Sequence, residues 1–191
     1  MRVLAGSSRS RNGGSGRGAR ERRFSARDRA SLGGPPGLSL QRVIRRANAN
    51  DVESVVDVFE RISATMTYLP VVHSHEENLA WFAARLSDRE GWVWDERGVR
   101  GYMLLGDDEL MHIYLAPGWT GRGIGKQLLD LAKERRPRGF TLWTFQQNWG
   151  ARRWYERHGL EAIEFGDGSG NDEGVPDVKY MWRPTPSPIK G

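Results

Sequence analysis

Residues 115–129 read Leu115-Ala-Pro-Gly-Trp-Thr-Gly-Arg-Gly-Ile-Gly-Lys-Gln-Leu-Leu129, with three alternating glycines ahead of an apolar repeat. The preceding stretch, Glu109–Leu115, has the composition of a strand, and Pro117 stops it. From about Gly123 to Arg135 the apolar residues recur at helical spacing, and Pro137 ends that pattern. The segment is therefore predicted to run from a strand, through a short glycine loop, into a helix.

A glycine loop that opens a helix suits a phosphate group. Glycine lets the backbone approach a ligand closely, and the first helical turn leaves N–H groups without partners at the positive end of the helix dipole. Arg122 and Lys126 add positive charge there. The spacing fits neither of two common nucleotide loops, because Gln127 stands where a Walker loop needs Ser or Thr and the glycines alternate without the Rossmann gap. A cradle for phosphate or pyrophosphate and a flexible turn both remain open here.

The rest of the chain predicts alternating helices and strands in the order β-α-α-β-β-β-α-β-α-β-β. We expect one folded domain over residues 40–184, a disordered Arg-, Gly- and Ser-rich tail over 1–39 and a flexible C-terminal tail over 185–191. The predicted strands are 40–46, 92–94, 99–105, 109–115, 140–145, 161–165 and 178–182, and the predicted helices are 48–65, one opened by the capping box at 74–77, 123–135 and 148–158.

The apolar residues of the Glu109–Leu115 strand do not alternate strictly. Leu110, Ile113 and Leu115 form one apolar set, yet an extra residue lies between Leu110 and Ile113. One extra residue is what a β-bulge inserts into a strand. We therefore predict a bulge in this strand.

Composition excludes several kinds of site. The 191 residues contain no cysteine, which removes disulfides, thiolate zinc sites and cysteine nucleophiles. The four histidines are too scattered to predict a metal centre, and no apolar run is long enough for a membrane span. These features favour a cytoplasmic protein without a metal.

The net charge of +5 is concentrated at the N-terminus. Residues 1–40 hold nine arginines against Glu21 and Asp28, which leaves the remainder with a net charge of −2. The high isoelectric point therefore describes the tail. The tail is open to three functional interpretations beside a solvated extension: an export signal, an organelle transit peptide, and a weak contact with nucleic acid or a membrane surface.

The glycine loop resembles the acyl-CoA-binding motif of the GNAT superfamily, [Gln/Arg]-x-x-Gly-x-[Gly/Ala]. Gly123 and Gly125 occupy its glycine positions, and Thr120 stands where the family usually has Gln or Arg. A second segment is similar to the family's later motif, in the family's order; it contains Asn148, Ala151, Tyr155, Glu156, Gly159 and Leu160. The resemblance covers roughly residues 41–183. It implies an α/β (α+β) GNAT fold with a central, mixed, mostly antiparallel sheet of about seven strands and four flanking helices.

The resemblance also implies a function: transfer of an acetyl group from acetyl-CoA, the co-substrate, directly to a primary amine of a small molecule, peptide or protein. Main-chain groups of Ile113 and Leu115 would hold the pantetheine arm together with Asn148, and Tyr155 would be the general acid. Glu109 would be the general base, with His112 as the alternative and a mechanism without a dedicated base as a third option. The cofactor-binding loop would comprise Thr120, Gly121, Arg122, Gly123, Ile124, Gly125 and Lys126.

Other interpretations of these residues compete with the enzyme. Tyr155, on an amphipathic helix beside Trp154, is also typical of a packing residue, and the same cradle could serve a non-catalytic acyl-CoA sensor. Binding of nucleic acid through the basic tail is a third function, which the acidic balance of the domain disfavours. The acceptor amine is not identified by the sequence, and a homodimer is compatible with it. Candidate acceptor-side residues are Tyr68, Glu77, Trp81, Trp143, Phe145, Asp177 and Tyr180.

Overall fold

The structure is a computed structural model that describes residues 43–185 of the chain. It contains seven strands and four α-helices in the predicted order. The strands are β1 (Val43–Arg46), β2 (Glu90–Asp95), β3 (Val99–Leu105), β4 (Leu110–Leu115), β5 (Phe140–Phe145), β6 (Leu160–Gly166) and β7 (Asp177–Trp182). The helices are α1 (Val52–Ser63), α2 (His75–Asp88), α3 (Ile124–Arg135) and α4 (Trp149–Arg157). The predicted tails lie outside the described residues, apart from residue 185.

The strands form two antiparallel sheets. The first has the order β1-β2-β3-β4 and the second the order β5-β7-β6. A single isolated parallel bridge, between Glu109 and Thr141, connects the two. The α/β fold is confirmed, and the parallel component of the expected mixed sheet is reduced to this one bridge.

Strand β4 contains the predicted bulge. Its register with β3 pairs Leu104 with His112 and Leu105 with Leu110, so Met111 is the additional residue. Because of the bulge, the side chains of Leu110 and His112 lie on opposite faces of the sheet, as the apolar pattern predicts. Leu110 packs in the same cluster as α3, whereas His112 contacts aromatic residues of α1 and α2.

Two apolar clusters lie on opposite faces of β4. One joins β4 to α3, α4 and the second sheet, through residues such as Ile113, Leu128 and Tyr155. The other joins it to α1 and α2, through residues such as Val55, Phe82 and Tyr114. All six residues of β4 are buried. Strand β4 therefore lies between the two clusters, and its side chains enter one cluster or the other according to the face of the sheet on which they lie.

The largest deviation from the predicted boundaries occurs at the first helix. Asn48 caps a short 3-10 turn over Ala49–Asp51, in which its side chain accepts from the Asn50 N–H at 2.9 Å. The α-helix begins only at Val52. Asp51 is held by Arg45 through two hydrogen bonds of 2.8 Å, which fixes the chain at this point. A tertiary ion pair, invisible in the local pattern, thus sets the start of α1.

Each helix within residues 43–185 is too short or too polar to cross a bilayer.

Candidate functional site

Strands β4 and β5 belong to different sheets, and among the described residues one bridge, between Glu109 and Thr141, pairs them; we call the unpaired stretch beyond that bridge the slot. Backbone alternation determines which groups of β4 line it, because successive residues of a strand direct their N–H and C=O groups to opposite sides. The Ala116 N–H donates to the Arg100 carbonyl at 2.9 Å, toward β3. The main chains of Ile113 and Leu115 must therefore face β5, where the bridge at Glu109 is the point of pairing between the two strands. These are the two residues predicted to hold a pantetheine arm.

The glycine loop opens α3 at the end of the same strand. Gly121 and Gly123 have φ values of 78° and 77°, and a Cβ at either position would meet no atom within 4 Å. Gly123 is the N-cap of α3 and provides no side-chain cap. The first N–H to bond within the helix is that of Gln127, to the Gly123 carbonyl at 3.1 Å. The N–H groups of residues 124–126 thus precede the first hydrogen bond within the helix.

The charged side chains at the loop differ in what they contact. Lys126 is paired with Asp130 at 2.6 Å within α3. The Arg122 guanidinium lies over the Trp119 ring, 4.4 Å from its centroid. Thr120, which replaces the family's Gln or Arg, is exposed. Arg122 is therefore the predicted loop cation that remains available for an anion.

Tyr155 lies fully buried on α4, in the cluster that also contains Ile113, Leu115 and Ile124. Among the protein atoms of residues 43–185 its hydroxyl has no hydrogen-bond partner, which is costly for a buried polar group. Burial, with smaller effects from Tyr114 and Tyr180, raises the pKa of Tyr155 well above 10.0. The phenol therefore keeps its proton at neutral pH.

Asn148 has a structural role in addition to the predicted one. It is the N-cap of α4, and its Oδ1 accepts from the Ala151 N–H at 3.2 Å. This hydrogen bond fixes the start of the helix that carries Tyr155. The assignment of Asn148 to a pantetheine arm stays a prediction.

Glu109 lies where the two sheets meet. The neighbouring Asp108 carbonyl accepts from the Thr141 N–H at 2.9 Å, which joins β4 to β5 beside it. Burial raises the pKa of Glu109 above 4.5, the negative charge of Asp108 adds to this, and Lys179 opposes it. A carboxyl group with a raised pKa is a better proton acceptor than an exposed one, as a general base requires.

His112, the alternative base, is almost completely buried between the first sheet and helices α1 and α2. Its ring stacks on Trp81 with centroids 5.1 Å apart, and its Nδ1 lies 3.1 Å from the Tyr102 hydroxyl. Phe59 and Phe82 also contact the ring. This aromatic enclosure separates His112 from solvent, so Glu109 is the better candidate for accepting a proton.

The residues predicted to select the acceptor amine do not form one site, and each has its own contacts. Tyr68 packs edge-on against Phe145, and Trp143 lies under Lys179 on the open face of the second sheet. The others have structural contacts: Glu77 closes the capping box of α2, Asp177 accepts from Asn171, Tyr180 donates to Glu156 on α4 at 2.8 Å, and Trp81 stacks on His112.

A cavity of about 510 Å³ lies between the α1–α2 connection and the loop before β7, and includes Phe59, Leu69, His73 and Glu173. His73 is 3.4 Å from Asp172, which ties the two loops together. The Glu60 carboxylate in its wall accepts from Asn78 at 2.9 Å and lies 3.0 Å from His75 Nδ1. Sequence reasoning missed Glu60, because its partners Asn78 and His75 lie on a different helix.

Trp119 and Arg100 were also missed. They meet at the glycine loop although they lie on different elements, so no local pattern could associate them. A Trp placed directly before the glycines was the available signal.

Comparison with known proteins agrees with this geometry. The family model described as an acetyltransferase (GNAT) domain matches residues 87–161, from the end of α2 to the start of β6. This part of the chain is similar to the GNAT domain. That match includes the slot, the glycine loop and Tyr155.

A curated protein is similar to part of this chain at modest identity. The peptidyl-lysine N-acetyltransferase YiaC of Escherichia coli (strain K12) is 30% identical over 83 residues, which is 42% of this chain and 56% of that protein. The chain therefore matches little more than half the length of this curated relative.

Solved structures share the fold. YjaB from Escherichia coli, in its apo form, superposes with a TM-score of 0.61 at 22% identity, over 73% of this chain and 96% of that one. The structure of yncA from Salmonella typhimurium with its cofactor acetyl-CoA gives 0.60 at 20% identity, over 79% and 99%.

The residues present fit acetyl-CoA. Open space above Gly121 and Gly123, N–H groups without intrahelical partners and an unpaired buried hydroxyl are features that a pyrophosphate and a thioester sulfur would satisfy. Among residues 43–185 no group of three or more His, Asp or Glu side chains is arranged to hold a metal ion.

Proposed function

We propose that this protein is an N-acetyltransferase that moves the acetyl group of acetyl-CoA directly to a primary amine. The observation that carries the proposal is the buried Tyr155 hydroxyl, which keeps its proton, has no hydrogen-bond partner in the part of the chain that the structure describes, and shares a cluster with Ile113 and Leu115 of β4. A packing role alone leaves the cost of that buried hydroxyl unexplained.

The residues divide the work of binding. N–H groups at the start of α3 and the Arg122 side chain would bind the pyrophosphate, and the main chains of Ile113 and Leu115 that face β5 would hold the pantetheine arm. Acetyl-CoA supplies the acetyl thioester. Burial of the slot excludes water, which would otherwise compete with the amine.

Proton transfers follow from the positions of the two titratable groups. The amine nitrogen must be neutral to form the new C–N bond, and Glu109 accepts its proton directly or through water. As the C–S bond breaks, Tyr155 donates its proton to the departing sulfur. Both groups have raised pKa values, so at neutral pH Tyr155 stays protonated as an acid and Glu109 has increased basicity.

For the acceptor, we propose a lysine side chain of a peptide or protein, or a small molecule of similar chemistry. The similarity to a peptidyl-lysine N-acetyltransferase supports this class. The cavity beside Glu60 and Glu173 supports it independently, because it combines apolar walls with carboxylates that attract a cation.

Calorimetric titration of the full chain with acetyl-CoA tests the proposal, beside Gly123→Glu and Gly125→Glu, which place a carboxylate in the cradle. We expect binding by the native protein and its loss in both variants, with release of free CoA when lysine peptides or small amines are added. A folded native protein that binds no acetyl-CoA would exclude the proposal. Binding without turnover on any amine would instead indicate an acyl-CoA-binding module.

A further inference from the structure

The cavity between the α1–α2 connection and the loop before β7 is lined by fixed charges of one sign. Its volume of about 510 Å³ is typical of a ligand site. Among the described residues, its lining contains the carboxylates of Glu60 and Glu173 but neither arginine nor lysine. The two histidines of the lining, His73 and His75, carry charge only when protonated. The fixed charge of the cavity therefore favours a cationic ligand.

Glu60 is a carboxylate held in a defined position. Its Oε1 accepts from Asn78 Nδ2 at 2.9 Å, and its Oε2 lies 3.0 Å from His75 Nδ1. Asn78 is itself buried, so it anchors the carboxylate from the side of α2. The Glu60 side chain is nevertheless 35% exposed, and within residues 43–185 it has no arginine or lysine partner. A carboxylate accepts up to about four hydrogen bonds, so Glu60 retains capacity for a further donor.

Apolar side chains surround this charge. Phe59 and Leu69 line the cavity, together with Val71 and Val72 of the α1–α2 connection. The two valines are 95% and 43% exposed, so they offer an uncovered apolar surface. A long amine buries its methylene groups on such a surface and keeps its charged end at a polar group. The cavity therefore suits a cation that ends an apolar chain, rather than a small hydrated ion.

The cavity adjoins the two strands that bound the slot. Phe59, in its wall, packs against Tyr114 of β4 with ring centroids 5.7 Å apart. Leu69 belongs to the apolar cluster that includes Phe145 of β5. One layer of side chains thus separates the cavity from β4. An elongated acceptor bound at Glu60 extends from there toward the slot.

Glu60 and the proposed base, Glu109, serve different groups of the acceptor. The amine that is acetylated must lose its proton, and Glu109 accepts it in the proposed function. The charges that act on Glu109 are those of Asp108 and Lys179, which do not contact Glu60. A cation at Glu60 keeps its proton, because a neighbouring carboxylate stabilises the charged form. The group at Glu60 is therefore not the amine that reacts.

We propose that Glu60 is a specificity-determining residue that binds a second cationic group of the acceptor. The preferred acceptor is then a dication whose two positive groups are joined by an apolar chain. The inference rests on the proposed function, because the other amine must receive the acetyl group. A linear diamine and a peptide in which a basic residue follows the lysine share this chemistry.

Matched pairs of acceptors test the second cation, with the full chain and acetyl-CoA. One pair is cadaverine and pentylamine, which differ by one amine. The other is a blocked lysyl-arginine dipeptide and the same dipeptide with uncharged citrulline in place of arginine. We expect kcat/KM to be about tenfold higher for the dication, chiefly through a lower KM, as for one charge-assisted contact. The preference should decrease in high salt, and the pair with the larger preference identifies the source of the acceptor.

Substitutions then assign the preference to Glu60. Glu60→Gln keeps the size of the side chain and an oxygen for Asn78 but removes the charge, so it should use both members of each pair with similar kcat/KM. Glu60→Asp keeps the charge and should retain part of the preference. Glu53→Gln, an exposed glutamate in the first turn of the same helix, is the matched control and should retain all of it. Circular dichroism checks the folding of each variant.

The outcomes distinguish this inference from the proposed function. Equal kcat/KM within both pairs for the native protein would overturn the inference alone, as would a folded Glu60→Gln variant that keeps the preference. Absence of transfer to all four amines would overturn both proposals. The comparison of pairs on the native protein needs no variant, so it decides even if Glu60→Gln does not fold.

Discussion

Tyr155 is the residue at which packing and chemistry make opposite demands. A buried hydroxyl without a partner destabilises the folded protein, so Tyr155→Phe should leave the free energy of unfolding unchanged or raise it by up to about 1 kcal/mol. If the hydroxyl protonates the leaving sulfur, kcat should fall by about 10²- to 10⁴-fold with little change in the Kd for acetyl-CoA. Urea unfolding, calorimetry and steady-state kinetics measure these quantities.

Tyr180→Phe is the matched control for that substitution. Tyr180 is also fully buried, but its hydroxyl donates to Glu156 at 2.8 Å. Its removal should lower stability by about 1 kcal/mol and leave kcat within about twofold of the native value. Equal kinetic losses in the two variants would refute a specific role for the Tyr155 hydroxyl.

At Glu109, too, stability and catalysis should change in opposite directions, and the effect on stability should depend on pH. Its folded-state pKa is raised, so the group favours folding only below its unfolded pKa, near 4.5, and this contribution is lost as the pH rises through the folded pKa. Glu109→Gln should therefore be more stable than the native protein at pH 7 and of similar stability at pH 4. As the base is removed, kcat/KM at pH 7 should fall by about 10²-fold, and the acidic limb of its pH profile should disappear. A variant that keeps that limb would show that another group accepts the proton.

At the scale of elements, the contact between β3 and β4 holds one wall of the slot in place. A Cβ on Gly101 would lie 2.4 Å from Leu115 Cδ2 and 2.9 Å from the Tyr114 carbonyl oxygen. Because the backbone atom cannot rotate away, Gly101→Ala should push the strands apart and cost about 1–3 kcal/mol. Acetyl-CoA should also bind more weakly, since the main chain of Leu115 lines the slot.

Gly150→Ala makes the same chemical change in a different element. Gly150 lies in the first turn of α4, where a Cβ would meet only Asn148 Oδ1, at 3.9 Å. This variant should be more stable by about 0.5–1 kcal/mol, because alanine favours the helix. Thermal unfolding compares the two variants, and destabilisation of both would contradict the steric explanation for Gly101.

At the scale of the whole molecule, an ionic cluster at Glu90 joins distant parts of the first sheet to α3. Glu90 accepts from Trp92 Nε1 at 3.0 Å, from Arg135, and from Arg136 at 3.1 Å. Arg136 also donates to the Gly106 carbonyl at 2.8 Å, in the turn between β3 and β4. The cluster therefore anchors the end of α3 opposite the glycine loop.

The pH dependence of this cluster should oppose that of Glu109. Burial tends to raise the pKa of Glu90, but hydrogen bonds from Arg135, Trp92 and Arg136 outweigh it and lower the pKa below 4.5. A lowered folded-state pKa stabilises the protein above the unfolded pKa, and the stabilisation is lost as the pH falls through the folded value. Glu90→Gln should cost about 2 kcal/mol at pH 7 and progressively less below pH 4.5. Glu164→Gln, at an exposed ion pair of 3.9 Å, should change stability by less than about 0.5 kcal/mol throughout.

The sequence alone determined the local features of this molecule. The order of strands and helices, the capping box at Ser74, the glycine loop and the bulge in β4 all follow from residues close together in the chain. The bulge is the clearest case, because three apolar residues that share one face required an extra residue between Leu110 and Ile113. Short-range patterns could predict these features because period, capping and backbone freedom act over a few residues.

Tertiary structure decided how those pieces meet. The division into two sheets, the slot bounded by Glu109 and Thr141, the isolation of the Tyr155 hydroxyl, the enclosure of His112 and the stacking of Arg100 on Trp119 depend on residues far apart in the chain. Burial and proximity are properties of the packed whole, so pKa shifts and unpaired groups emerge only there. The sequence could identify Tyr155 and Glu109 as candidates. Only the folded chain removes Tyr155 from solvent and places Glu109 at the bridge between the two sheets.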